Sequence, residues 1–102
     1  MKRTKPIIAT DVTDLARALR LSPADAVEMS LRRQLNDKII VALKQPGLSH
    51  ATIAKAARTS RARLAAILNR DTSQIPTDLM LRVLTALGYR PKVTFVRTRP
   101  AA

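Results

Sequence analysis

SHATIAKAARTSRARLAAILN, residues 49–69, reads as two short helices joined by a tight turn. Ile53, Ala54 and Ala57 share one face of the first half, and Leu64, Ile67 and Leu68 share one face of the second, with Arg58-Thr59-Ser60 between them. Neither half is long enough to bury its apolar stripe alone. The two must therefore cross and pack on each other and on flanking helices, and a residue as small as Ala54 at the crossing lets the backbones approach. The other face of the second half carries Ser60, Arg61, Ala62, Arg63, Ala65 and Ala66. That face is basic, has short side chains between its arginines, and suits the width of a DNA major groove.

Ile53-Ala54, Ala57, Thr59-Ser60, Leu64 and Ile67 stand in the order found in the helix-turn-helix of the Xre/Cro, or lambda-repressor-like, regulators, which this segment resembles. In that family the usual run is Leu-Ala, an apolar residue, Gly-Val-Ser, then two spaced aliphatics. Here Arg58 replaces the Gly and Thr59 the Val. A side chain at the glycine position must either accept a left-handed conformation at some cost or alter the turn. The flanks DLARALRLSPADAVEMSLRRQL and LMLRVLTALGYRPKVTFVR are similar to those in the branch that holds HigA-type antitoxins and related stand-alone regulators, so the resemblance covers about residues 14–97. It implies a mainly α, five-helix lambda-repressor-like domain with an N-terminal helical extension and one C-terminal β-strand that pairs across a homodimer. It also implies a cytoplasmic, nucleoid-associated protein of bacterial or phage type.

A chain of 102 residues supports one small domain near the lower limit for a self-sufficient core. Hydrophobic residues make up 46% but aromatics only 2%, so that core must be built from Leu, Ile, Val and Ala. The formal net charge of +12 calls for an anionic polymer or surface as partner. Its placement says more: Lys44, Lys55, Arg58, Arg61, Arg63 and Arg70 follow one another without an intervening Asp or Glu. Asp11, Asp14, Asp25, Glu28 and Asp37 come earlier, and Asp71 and Asp78 later. Cysteine is absent, which excludes disulfides and thiolate metal sites and is compatible with a reducing cytosol. The opening MKRTKPIIAT is too short in apolar residues for a secretory signal, and no stretch is apolar for long enough to span a bilayer.

Along the chain, residues 1–9 read as a basic flexible arm, whose Lys2, Arg3 and Lys5 are candidates to track phosphates or enter a minor groove. Residues 10–45 read as an N-terminal helical segment. A first helix is expected over Thr10 to Leu21, with Val12, Leu15, Ala16 and Leu19 on its apolar face. Ser22-Pro23-Ala24-Asp25 restarts the helix in capping-box fashion, and the spacing of Met29, Leu31, Leu35, Ile39, Ile40 and Leu43 predicts a long one with a bend or break near Asn36-Asp37. Residues 46–88 form the helix-turn-helix core, entered through Pro46-Gly47 with Ser49 as N-cap. Its last helix carries Leu79, Val83, Leu84 and Leu87 and stops at Gly88. In residues 89–98, the alternation in Lys92 to Arg97 predicts a strand, with 99–102 a tail. One strand lacks a hydrogen-bonding partner, so Val93, Thr94, Phe95 and Val96 are expected to pair with the same strand of a second subunit.

Nothing in the composition assembles a catalytic centre. One His, no Cys, two isolated Gly and no phosphate-cradling loop provide neither a nucleophile with its base nor a metal shell, so no enzyme activity, cofactor, metal or small-molecule ligand is expected. The expected partner is double-stranded DNA. Arg61 is the candidate for a guanine edge, with Ala62, Ala65 and Ala66 as close apolar base contacts. Ser49, His50, Thr52, Lys55, Ser60, Arg63, Asn69 and Arg70 are the candidate backbone contacts. Such a protein acts as a transcriptional regulator, a repressor in the first instance, on an inverted repeat. RNA polymerase or a cognate toxin are further partners, the second making it an autorepressing antitoxin. A charge-driven architectural nucleoid protein is the rival of another class.

Overall fold

The computed structural model describes residues 22–98 and is mainly helical. Four helices follow in order, α1 (Pro23–Leu43), α2 (His50–Ala56), α3 (Arg61–Leu68) and α4 (Thr77–Ala86). The expected helix over residues 10–21 and the arm residues Lys2, Arg3 and Lys5 lie outside the described residues.

α1 begins where the sequence places its cap. Ser22 Oγ accepts from the Asp25 N–H at 3.1 Å while Asp25 Oδ2 accepts from the Ser22 N–H at 3.2 Å, and Pro23 takes a first-turn position that needs no donor. The helix then runs 21 residues without a break at Asn36-Asp37. Leu35, Ile39 and Leu43 keep one continuous buried stripe through that point, and burial of the stripe carries the helix across two residues of poor helix propensity. Gly47, at φ +79°, turns the corner into α2, and Ser49 Oγ accepts from the Thr52 N–H at 3.2 Å.

The core is aliphatic, as the composition requires. Leu35, Ile39 and Leu43 of α1 meet Ile53 and Ala54 of α2, Leu64 and Ile67 of α3, and Leu79, Met80, Val83 and Leu84 of α4, with Ile75 from the loop between α3 and α4. Each large side chain so buried contributes about 1.5–3 kcal/mol. α1 packs on both α3 and α4, and α2 packs on the same two helices. α3 is therefore gripped from two sides.

A polar clamp completes the grip. Arg32 of α1 donates through Nη2 to the carbonyls of Thr72 at 2.7 Å and Ile75 at 2.6 Å, and through Nη1 to Thr77 Oγ1 at 2.9 Å. The Thr77 hydroxyl in turn donates to Glu28 Oε2 at 3.2 Å. Loop carbonyls that no helix or strand satisfies are thereby satisfied by a charged donor.

α4 closes on Gly88, whose φ of +92° lets the Gly88 N–H reach Thr85 O at 2.9 Å and the Tyr89 N–H reach Leu84 O at 3.1 Å. Lys38 Nζ stands 4.6 Å from the centre of the Tyr89 ring, which draws the following chain toward α1. Beyond this the expected strand is not shown. Among the described residues there is no strand, and Lys92 to Arg97 makes no backbone hydrogen bond to another described segment. A ladder needs a second edge, and this chain's described segments supply none. Val93 is 67% exposed, Phe95 91% and Val96 82%. The described helices number four, against the five expected.

Candidate nucleic-acid interface

α2, the turn after it and α3 form one unit. Ala54 and Ala57 are buried at the crossing, where their small size brings the backbones together. α2 ends with the Arg58 N–H donating to Lys55 O at 3.1 Å and the Thr59 N–H to Ala54 O at 2.8 Å. Those bonds are the paired closure that usually recruits glycine, and Arg58 adopts it with φ +58°. Of the two responses the sequence left open, the chain keeps the turn and accepts the left-handed residue. Arg82 of α4 secures the corner, donating through Nε to Ala57 O at 3.0 Å while its Nη1 pairs with Asp78 at 3.0 Å.

Ser60 caps α3, its Oγ accepting from the Arg63 N–H at 3.2 Å. Leu64 and Ile67 point into the core at 1% and 0% exposure, which fixes the rotation of the helix. At about 100° per residue the opposite face then carries Ala62, Ala65 and Asn69, with Arg61 and Arg63 on its two margins, and all five are exposed. Ala66 differs from the expectation. It is half-buried against the core, so it belongs to the side of the ridge and not to its crest. The result is a slim row of methyl groups between two guanidinium groups.

Lys44, Lys55, Arg58, Arg61 and Arg63 are exposed, and none of them forms an ion pair with a described residue. Arg70, just past α3 and also left-handed at φ +58°, is held by Asp37 of α1 at 2.8 Å. Ser49, Thr52, Ser60 and Asn69 are exposed at the ends of α2 and α3, with the first and third already engaged as caps. His50 is turned partly inward. Its Nε2 lies 2.9 Å from Leu43 O, so one ring nitrogen braces the corner between α1 and α2.

Two residues that matter were absent from the candidate set. Arg58 stands in the turn beside α3, and its sequence signal was the replacement of glycine. Arg32 gave no signal, because the carbonyls it reaches lie far along the chain and belong to a loop of irregular shape. Among the described residues no three His, Cys, Asp or Glu side chains gather as a metal site would require, and no helix is long and apolar enough to cross a membrane. Comparison with protein-family models, with curated proteins and with solved structures finds no match to the chain in any of the three.

Proposed function

We propose that this chain is a sequence-specific double-stranded DNA-binding transcriptional regulator of the lambda-repressor-like type, acting as a homodimeric repressor on an inverted repeat. The observation that carries the proposal is the outward face of α3, where Ala62 and Ala65 form a low ridge flanked by Arg61 and Arg63. A ridge of that profile enters a major groove, and a helix gripped by α1 and α2 presents it in one orientation. In that pose Arg61, at the first turn of α3, forks onto the O6 and N7 of a guanine, a contact worth about 1–3 kcal/mol of discrimination. Ala62 and Ala65 lie against thymine methyls. Arg63, Lys55, Asn69 and Thr52 meet phosphates and set the register.

Pairing of the 92–97 segments of two subunits about a two-fold axis supplies the second reading head, and the exposure of Val93, Phe95 and Val96 supports it. The half-sites then lie about 34 Å apart, one turn of the duplex, or a multiple of that. Occupying a promoter against polymerase gives repression. Genome-wide mapping of bound sites tests the whole proposal. It should return a short inverted repeat with that spacing near promoters, preferred by roughly 10³-fold or more over random duplex. Bound sites without a shared sequence would replace it with an architectural role driven by charge.

A further inference from the structure

We propose that Arg58 is a phosphate anchor, retained in an unfavourable backbone conformation because its charge is needed at the DNA surface; the inference rests on the DNA-binding function proposed above and adds a residue to it. The chain uses the left-handed conformation at two arginines, Arg58 and Arg70, both with φ +58°. Each ends a helix by the same pair of bonds, the Arg70 N–H reaching Ile67 O at 3.0 Å and the Asp71 N–H reaching Ala66 O at 2.8 Å, in parallel with those at Arg58 and Thr59. Glycine performs that closure with no steric penalty, whereas a Cβ resists it.

The two sites differ in what the side chain does. Arg70 finds an anion within the protein, Asp37, at 2.8 Å. Arg58 is exposed and makes no hydrogen bond or ion pair with any described side chain. Its position offers the reason: Arg58 is two residues before Ser60, the cap of α3, and three before Arg61, the residue proposed to read a base edge. In that pose the nearest anions are the phosphates bordering the groove. Strain held at a residue with no internal partner marks a group kept for an external one.

The test combines stability and binding in the full chain, comparing wild type, Arg58→Gly and Arg58→Lys. Arg58→Gly should melt higher by about 4 °C, because the left-handed position is relieved. It should also bind the mapped target and a random duplex of equal length more weakly by one common factor, about 5- to 10-fold. The dependence of log affinity on log salt, read over roughly 50–200 mM, should become shallower by about 0.9. Arg58→Lys should keep the wild-type salt dependence. If Arg58→Gly binds as tightly as wild type, melts lower, or loses affinity for the target alone, the anchor assignment is overturned. A wild-type protein with no salt-dependent affinity for any duplex would remove the DNA-binding function itself, and this inference with it, a result no Arg58 variant alone produces.

Discussion

Asp37 of α1 and Arg70 beyond α3 are joined at 2.8 Å, which ties the C-terminal end of α3 to the long scaffold helix. Both side chains are more than half exposed, at 51% and 57%, so the pair adds little to stability, about 0–1 kcal/mol. On the proposed function its effect falls on binding: Asp37 holds a cation that would otherwise be free for phosphate, and it would place a negative charge near the anionic duplex. Asp37→Asn should therefore leave the melting temperature almost unchanged and tighten binding to all duplexes, with a steeper salt dependence. Titration of target and random DNA by fluorescence anisotropy checks this, and weaker binding would mean that the ion pair positions Arg70 for its contact.

Asn36 sits in α1 at 4% exposure, and neither its Oδ1 nor its Nδ2 meets a hydrogen-bond partner among the described residues. A buried amide left in this state costs about 1–3 kcal/mol. Leu35, Ile39 and Ile40 around it in sequence are all buried and apolar, so a leucine, branched at Cγ like asparagine, suits the same environment. Asn36→Leu should raise the unfolding free energy by about 1–2 kcal/mol, seen as a higher urea midpoint with an unchanged slope. A lower midpoint would show that the amide is satisfied in solution.

How much of this was legible in the sequence depends on how local the cause was. The capping box at Ser22 and Asp25, the cap Ser49 and the corner at Gly47 were readable because each is a bond or a dihedral within a few residues. The inward residues Ile53, Ala54, Ala57, Leu64 and Ile67 were readable because helical spacing alone puts them on one side. Periodicity failed where two requirements compete. Asn36-Asp37 looked like a break by propensity, yet α1 passes through it, since the stripe on either side gains more by staying in register. Helical spacing puts Ala66 on the outer face with Ala62 and Ala65, but it is partly buried against the core. The clamp from Arg32 and the brace from His50 to Leu43 O were out of reach, because irregular-loop and helix-end carbonyls announce no partner in sequence. The strand expected over Lys92 to Arg97 is not shown among the described residues, because residue alternation alone does not supply the second edge that a ladder needs.

On the proposed function, Arg61 and Lys55 separate reading from holding. Both are exposed, but Arg61 opens α3 on the margin of the alanine ridge while Lys55 lies in the last turn of α2. Arg61→Ala should erase the preference at one base pair of each half-site, a loss of about 1–3 kcal/mol for the target with little change for random duplex. Lys55→Ala should weaken target and random duplex alike or leave both unchanged. Neither change touches the core, so circular dichroism should report wild-type helix content for both. A ratio of target to random affinity that stays at the wild-type value in Arg61→Ala would assign base recognition elsewhere on α3.

The exposed segment after α4 yields the prediction about assembly. Val93, Phe95 and Val96 are among the most exposed large apolar side chains of the described chain, and their backbone donors and acceptors lack a ladder within it. Such an edge is stable when a second strand covers it, and a two-fold axis offers the identical strand. Removing residues 92–102 should convert dimers to monomers in sedimentation equilibrium while leaving α1 to α4 folded, because the core draws no residue from beyond Tyr89. The truncated monomer should retain affinity for a single half-site and lose most of the gain that comes from linking two, a factor of about 10²–10⁴. Dimers that persist after truncation would place the subunit contact on the helices, with the exposed strip on α1 at Val27 and Leu31 the first surface to substitute.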